Sequence, residues 1–426
     1  MITTNVFFKE NDFIATALGR LPQDWDVVAL EEITETSSGG TPSRARKEYY
    51  GGNIPWVKSG ELKDNIIYKT DESITETGLR HSSTKLLPKG TLLVAMYGAT
   101  VGKTAILGLE ACTNQAVCAI APKGDKIDLN YLQQQIILKR SELISASAGG
   151  AQPNISQGII RRVRVPLPPL PEQRKIAKVL STVDQSYQNT NEIIPKTELL
   201  KKGLMQQLLT KGIGHKDLEH SEEFGSVIPR KWNVARLGEV TNIRYGLGKP
   251  PEPDENGVPM IRATNIKRGT IVEAGLFRVK RSAIPKSRNP FLRVGDIIIV
   301  RSGAYTGDVG LVTERWKGAI VGYDLVLSPS KGVNSVFLVN YLLSSRVQTY
   351  ISQLRVRAAQ PHLNLSQVSN LLVPLPSLVE QEEIALTFST IDHKLEIERS
   401  EKGRLEEVKQ CLMELLLTGK IRIRVD

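Results

Sequence analysis

The stretch VPLPPLPEQRKIAKVLSTVD, residues 165–184, occurs again in altered form as VPLPSLVEQEEIALTFSTID, residues 373–392. In both copies a proline-rich turn leads into apolar residues spaced three and four apart, which is the pattern of a helix with one buried face. Other stretches repeat in the same order, and Trp25 matches Trp232. The pairs are LPQDWDVVALEEI (21–33) with IPRKWNVARLGEV (228–240), LPKGTLLVAMYGATVGKTAIL (87–107) with LRVGDIIIVRSGAYTGDVGLV (292–312), and LMQQLLTKG (204–212) with LMELLLTGK (412–420). We therefore interpret the chain as one unit used twice.

Each repeated stretch continues into a long helical pattern, predicted for residues 171–212 and 379–420. Apolar positions alternate in steps of four and three, the spacing of a coiled-coil seam, and such a seam needs a partner helix. We predict that the two helices pack against each other, although two amphipathic helices packed on globular regions would give a similar pattern. The predicted seam positions are Ile176, Leu180, Val183, Leu204, Leu208, Ile384, Phe388, Ile391, Leu395, Leu412 and Leu416.

Local signals mark the ends of both helical patterns. Ser377 and Glu380 are placed to form a capping box at the start of the second helix. Gly212 and Gly419 are suited to end the two helices. Pro195 lacks a backbone N–H, so it is expected to bend the first helix or interrupt its hydrogen-bond ladder.

Composition narrows the class of protein. The chain carries 56 Lys and Arg against 45 Asp and Glu, a net charge of +11. This surplus fits a polyanionic partner, although solvated lysines would give the same charge. Three cysteines are too few for a disulfide framework or a zinc site. With no signal-peptide pattern, and no apolar run long enough to span a membrane, we expect a cytoplasmic protein with no metal site.

The stretch YGATVGKTAIL, residues 97–107, is one residue short of a phosphate-binding loop. In the second copy Lys103 and Thr104 become Asp308 and Val309. A phosphate-binding loop requires a helix after the threonine, whereas the following AILG is typical of a strand. We predict strand, glycine turn and strand, with nucleotide binding at residues 98–104 as an alternative function. No other catalytic motif is found, so no catalytic residue is predicted.

Basic residues occur together with Ser, Thr, Asn and Tyr in the globular part of both copies. Arginine can hydrogen-bond guanine, asparagine can hydrogen-bond adenine, and lysines and hydroxyl groups hold phosphates. The alternative is that these are solvated loops with no ligand. The candidate DNA contacts are Thr41, Ser43, Arg44, Arg46, Lys58, Lys103, Arg244, Tyr245, Arg262, Asn265, Lys267, Arg301 and Tyr305.

The order of these elements resembles the specificity subunits of type I restriction–modification enzymes. Two junction sequences, two helix ends and three short stretches of the first copy carry the resemblance. They are PLPPLPEQRKIA (166–177), PLPSLVEQEEIA (374–385), KKGLMQQLLTKGIG (201–214), LMELLLTGKIR (412–422), IPWVKSGEL (54–62), YGATVGKTAI (97–106) and TNQA (113–116).

The resemblance implies an α+β protein with two pseudo-repeated mixed α/β target-recognition domains, separated by two long helices packed as an antiparallel intramolecular coiled coil. The expected boundaries are 1–170 for the first domain, 171–212 for spacer helix 1, 213–227 for a linker, 228–378 for the second domain, 379–420 for spacer helix 2 and 421–426 for a tail.

The resemblance also implies a function and partners. Each domain would recognise one half of a bipartite target in double-stranded DNA, while the helices fix the spacing and dock modification subunits. The chain itself would bind no cofactor. Two modification subunits would methylate adenine with S-adenosylmethionine, and two restriction and translocation subunits would complete the complex, with ATP and Mg also on the partners and no membrane involved. A coiled-coil scaffold with no role on DNA remains a further alternative.

Overall fold

The computed structural model describes residues 6–146, 154–285, 290–356 and 362–425. The chain forms two compact units. Unit 1 consists of Met1–Thr190 and Glu401–Asp426, and unit 2 consists of Asn191–Ser400. Each unit therefore combines one globular region with one half of each long helix.

The two long helices are present. Spacer helix 1 spans Leu170–Lys211 and continues as one helix through Pro195, whose missing N–H removes one bond from the backbone ladder. Spacer helix 2 spans Leu378–Leu416 and ends before the predicted residue 420. It stops because Gly419 adopts a left-handed φ of 69°, a conformation that ends many helices.

The helix halves run antiparallel within each unit. Partner residue numbers fall along spacer helix 2 as they rise along spacer helix 1. The contacts are Asp184–Lys409 (2.5 Å) and Tyr187–Glu406 (2.8 Å) in unit 1, and Glu198–Arg399 (2.5 Å) and Lys201–Asp392 (2.6 Å) in unit 2. The predicted antiparallel pairing is confirmed.

The predicted seam residues are all buried or half-buried, but near the helix ends the most deeply buried residue is the one after the predicted position. Six seam residues are buried, namely Ile176, Leu180, Ile384, Phe388, Leu395 and Leu416. Five are half-buried, namely Val183, Leu204, Leu208, Ile391 and Leu412. The neighbouring Leu209 and Met413 are more deeply buried than Leu208 and Leu412, because the ends of the helices pack into the cores of the globular regions.

Unit 1 is built around a five-stranded sheet in the order Thr34–Ser38, Val117–Pro122, Leu92–Ala95, Thr104–Leu107 and Asn65–Ile67. A three-stranded sheet contains Cys112–Thr113, Tyr50–Val57 and Glu72–Ile74. The paired strands are Phe7–Lys9 with Ile421–Ile423, Phe13–Thr16 with Gly19–Pro22, and Asp26–Ala29 with Arg164–Leu167. The shorter helices are Leu30–Ile33, Glu76–Arg80, Leu129–Leu138, Arg140–Ala146 and Gln157–Arg161.

Unit 2 repeats this arrangement around a four-stranded sheet in the order Thr241–Tyr245, Leu325–Pro329, Ile297–Ile299 and Val309–Leu311. Its three-stranded sheet contains Phe277–Val279, Pro253–Ile261 and Ile320–Val321. The paired strands are Leu218–Ser221 with Ser226–Pro229, Asn233–Arg236 with Leu372–Leu375, and Ile266–Lys267 with Thr270–Ile271. The shorter helices are Leu237–Val240, Ser335–Leu342, Ser345–Val356 and Leu365–Ser369.

Two segments expected to be peripheral are folded parts of the units. The predicted linker, residues 213–227, contributes to the hairpin of Leu218–Ser221 with Ser226–Pro229 in unit 2. The predicted tail contains the strand Ile421–Ile423, which pairs with Phe7–Lys9 near the start of the chain. Short strands such as these carry little apolar periodicity, so the sequence gives no strong signal for them.

The central strands are buried on both faces. In unit 1, Leu92 and Val94 belong to one apolar cluster, whereas Leu93 and Ala95 belong to another. In unit 2, Ile297 and Ile299 are likewise separated from Ile298. The continuous apolar runs that bracket the glycine turns are therefore explained by burial on two sides.

Candidate DNA interface

The near-phosphate loop is a glycine turn between antiparallel strands, as predicted. Leu92–Ala95 pairs with Thr104–Leu107, and Gly98 and Gly102 adopt left-handed φ values of 90° and 74°. Strand, rather than helix, follows Lys103. The helix N-terminus that would face a phosphate is missing from this described segment, so the nucleotide-binding alternative lacks its structural context.

Lys103 and Thr104 are instead bonded to Asp64. Lys103 Nζ lies 2.9 Å from the Asp64 carboxylate, and the Thr104 N–H and hydroxyl each donate to it at 3.1 Å. Arg140 forms a further ion pair with the same carboxylate. Burial opposes ionisation of Asp64, but the hydrogen bond from Lys103 and the charge of Arg140 outweigh it and lower the Asp64 pKa. Lys103, a predicted DNA contact, thus stabilises the turn.

Arg44 and Lys58 of unit 1 meet on one carboxylate. The Arg44 guanidinium lies 4.4 Å from the centre of the Tyr50 ring and 2.6 Å from Glu72. Lys58 Nζ lies 2.8 Å from Glu72. Hydrogen bonds from Arg44 and then Lys58 lower the pKa of Glu72 to about 2. Stacking on the ring and pairing with Glu72 hold the two cations in place at the surface.

The other unit 1 candidates lie in the loop that carries Arg44. Thr41 donates a hydrogen bond to Gln115, and the Ser43 carbonyl accepts one from the Arg46 N–H at 3.1 Å. Thr41, Ser43 and Arg46 are all exposed. This loop therefore presents hydroxyl groups and cations beside the Arg44 cluster.

A second cluster forms in unit 2 around Arg301. Its guanidinium lies 5.0 Å from the centre of the Tyr245 ring and donates a hydrogen bond to His362. Its backbone N–H donates to Asp324 at 3.1 Å. Tyr305, on the same glycine turn, is exposed. The fold thus brings Arg301, Tyr245 and His362 together from segments that are distant in the sequence.

Arg262 occupies the position in unit 2 that Lys58 occupies in unit 1. Each residue precedes a short helical turn and has its N–H capped by the third residue on, Glu61 or Asn265. The Arg262 guanidinium lies 5.2 Å from the centre of the Phe277 ring and is exposed. Lys267 is also exposed, on the short strand Ile266–Lys267.

Two predicted DNA contacts, Asn265 and Arg244, are bonded to other groups of unit 2. Asn265 is fully buried, and its side chain bonds to the backbone of Arg262, Val272 and Ala274. Arg244 pairs with the buried Asp296 at 3.0 Å. Buried polar groups need partners, and these side chains supply them; Asn265 has no exposed surface, whereas Arg244 is half-buried.

Sequence reasoning missed Glu72, Tyr323 and Asp324. The search followed positive charge, so it passed over acidic groups that accept hydrogen bonds from arginines or bases. Tyr323 is 56% exposed, and Asp324 lies directly after it in a cavity of unit 2. In the sequence, Tyr323 and Asp324 carry no signal that distinguishes them from an ordinary loop.

The described residues contain neither a candidate metal centre nor a helix that could span a membrane. Within residues 6–146, 154–285, 290–356 and 362–425, no group of three His, Cys, Asp or Glu side chains is arranged to hold a metal ion. None of the helices in these same ranges is long and apolar enough to cross a membrane.

Comparison with known families decides the relationship. Residues 22–199 and 229–409 each match the family described as "Type I restriction modification DNA specificity domain". The chain belongs to this family. The chain is thus a type I specificity subunit with two target-recognition domains, one in each matched segment. This places it in a DNA-recognition role, working with other subunits of a restriction–modification system.

Relatives and solved structures agree with this assignment. This specificity subunit is 30% identical to the Type I restriction enzyme MjaVIII specificity subunit of Methanocaldococcus jannaschii, covering 100% of this chain and 99% of that one. It is 26% identical to the Type I restriction enzyme EcoBI specificity subunit of Escherichia coli, covering 90% and 75%. The crystal structure of the S subunit from M. genitalium superposes with a TM-score of 0.64 at 17% identity, covering 92% of this chain and 96% of that one. The last similarity concerns the fold alone.

Proposed function

We propose that each target-recognition domain reads one half of a bipartite sequence in double-stranded DNA. One observation carries the proposal: the same scaffold places different cations, with different partners, at equivalent positions. Lys58 pairs with Glu72 in unit 1, whereas Arg262 stacks on Phe277 in unit 2. Two readers with different chemistry suit two different half-sites, because base edges differ in their donors, acceptors and methyl groups.

The basic charge of the chain supports the same function. A net charge of +11 favours association with the phosphate backbone, which supplies affinity without sequence preference. The exposed Arg44, Arg46, Arg262 and Lys267 are suited to phosphate or base contacts. Discrimination between sequences would then come from the few side chains that reach base edges.

The spacer helices are proposed to set the distance between half-sites and to dock two modification subunits. Exposed apolar side chains on the unit 2 halves of the helices support docking, since Leu199 is 71% exposed and Leu386 is 69% exposed. The modification subunits would supply S-adenosylmethionine chemistry, and two restriction and translocation subunits would use ATP and Mg. The complex would act in the cytoplasm, while this chain contributes recognition and no catalytic group.

Domain exchange tests this function. Residues 34–163 of the full chain are replaced by the matching segment of a relative, and the chain is combined with its modification subunits. We expect one half-site of the methylated sequence to change while the other half-site and the gap between them stay the same. The measurement is mapping of methylated adenines across a genome. A change in both half-sites would contradict independent recognition by the two domains.

A further inference from the structure

Unit 2 contains a cavity of about 310 Å³ beside the Arg301 cluster. Its lining includes the apolar side chain of Met260, the exposed Arg262 and Tyr323, and the polar side chains of Ser302 and Asp324. An apolar wall with flat side chains and a few polar groups is the usual composition of a site for a small planar ligand.

Asp324 is the buried charged group of this cavity. It is only 3% exposed, and its Oδ1 accepts a hydrogen bond from the Arg301 N–H at 3.1 Å. Within the described ranges, no side chain or backbone group donates to Oδ2. Burial raises the Asp324 pKa, and the hydrogen bond from Arg301 only partly opposes this effect. Oδ2 is open to the cavity, where water or the donor group of a ligand can reach it.

The repeated scaffold does not itself require a carboxylate here. The Gly39 N–H donates to the Val117 carbonyl in unit 1, and the Gly246 N–H donates to the Asp324 carbonyl in unit 2. Val117 therefore occupies the place of Asp324. An apolar side chain suffices in one copy, so the charge in the other copy is an addition to the fold.

Comparison of the two units shows that Oδ1 of Asp324 has a structural role. In unit 1 the Met96 N–H donates to the backbone carbonyl of Ala116 at 2.8 Å. In unit 2 the corresponding N–H, that of Arg301, is satisfied by Asp324 Oδ1. This task needs one neutral acceptor, which an amide supplies equally well. The second oxygen and the negative charge are left for a ligand.

We propose that Asp324 accepts a hydrogen bond from the exocyclic amino group of an adenine or a cytosine in the half-site read by unit 2. Arg262 and Tyr323, which line the same cavity, are placed to contact the edge of that base or of its neighbour. Adenine and cytosine carry amino donors where guanine and thymine present carbonyl acceptors in the major groove. Asp324 is therefore a specificity-determining residue. This inference rests on the proposed function of the two domains.

The test combines one substitution with bases that lack the amino group. The full chain, assembled with its modification subunits, is prepared as wild type and as Asp324→Asn, which keeps an acceptor for the Arg301 N–H. Each adenine or cytosine of the second half-site is replaced in turn by purine or by 2-pyrimidinone. Loss of one charge-assisted hydrogen bond should weaken binding by the wild type about tenfold or more at one position. With Asp324→Asn the same replacement should change binding by less than about twofold.

Two controls separate the possible outcomes. Asp217→Asn removes the same charge from an exposed site of unit 2 and should behave as wild type. All three proteins should discriminate equally well at the remaining positions of the second half-site, which shows that unit 2 of Asp324→Asn is folded. If Asp324→Asn retains the full penalty at every position, the inference is wrong while the proposed function stands. If wild type ignores the second half-site altogether, the proposed function fails first.

Discussion

In both units, a tryptophan of the globular region donates a hydrogen bond to a glutamate at the start of a spacer helix. The other side chain that binds this glutamate differs between the units. In unit 1, Trp25 donates to Glu172 at 3.3 Å, and Arg422 binds Glu172 at 2.8 Å. In unit 2, Trp232 donates to Glu380 at 3.1 Å, and His215 lies 2.9 Å from Glu380. One junction is built on a permanent cation and the other on an imidazole.

The difference follows from how the chain reaches each junction. In unit 2 the chain runs without a break from spacer helix 1 through Gly212 and His215 to Trp232. In unit 1 the end of the chain must be joined to its beginning by noncovalent bonds. Arg422 accordingly also pairs with Glu10 at 2.7 Å and with Asp24 at 2.8 Å. The junction that lacks a covalent link carries the larger charge network.

The start of spacer helix 2 also depends on this junction. The Ser377 hydroxyl accepts from the Glu380 N–H at 3.3 Å, as the predicted capping box requires. The Glu380 carboxylate, however, turns to Trp232, His215 and the Ile213 N–H instead of returning to Ser377. The capping box is therefore half formed, because packing against the next segment of chain offers this carboxylate more donors.

Removing Arg422 should have the largest effect on this pair of junctions. Arg422→Met leaves Glu172, which is 2% exposed, and Glu10 without their cation. Uncompensated buried carboxylates reduce the free energy of unfolding by about 3–5 kcal/mol. Urea denaturation measures the loss. Arg424→Met, at a neighbouring exposed position, serves as the control and should change stability by less than about 0.5 kcal/mol.

Removing His215 should have a smaller effect. His215→Ala takes one hydrogen bond from Glu380, which keeps its bonds to Trp232 and to the Ile213 N–H. We expect a loss of about 1–2 kcal/mol in the free energy of unfolding. His220→Ala, in the exposed hairpin, is the matched control. A loss equal to that of Arg422→Met would show that the two junctions are energetically alike and that chain continuity does not matter.

The smallest effect on the free energy of unfolding is expected from the ion pairs of Glu72 in unit 1, which acid should weaken. The Glu72 pKa falls from 4.5 to about 2 through hydrogen bonds from Arg44 and Lys58. A lowered carboxyl pKa stabilises the folded state above about pH 4.5, and this contribution is lost as the pH falls towards 2. Glu72→Gln should therefore be less stable than wild type by under about 1 kcal/mol at pH 7.

Thermal unfolding at a series of pH values tests the Glu72 prediction. The difference between wild type and Glu72→Gln should narrow as the pH falls from 4.5 towards 2. The corresponding position in unit 2 is Phe277, which stacks with Arg262 and carries no titratable group. Phe277→Leu should accordingly show a difference from wild type that does not depend on pH in this range. A constant difference for Glu72→Gln as well would exclude its ion pairs as the cause.

Local patterns were sufficient for much of the fold. The repeat, the two long helices and the strand–turn–strand at Gly98 and Gly102 all follow from the spacing of apolar residues and glycines along the chain. These features depend on neighbours within a few residues, so periodicity reports them directly. The predicted end of spacer helix 2 and the predicted linker at residues 213–227 differ from the structure. Helix ends and short strands depend on packing, which local patterns do not report.

Tertiary structure alone decided which polar residues are available. The sequence predicts both Arg44 and Arg244 as DNA contacts, yet Arg44 is exposed and Arg244 is bonded to the buried Asp296. Lys103 is held by Asp64, while at the matching turn Asp308 has the opposite charge and lies near Arg268. The Asp324 cavity and the Arg422 network join segments that are far apart along the chain. Such contacts depend on how whole sheets and helices pack, which no short window of sequence records.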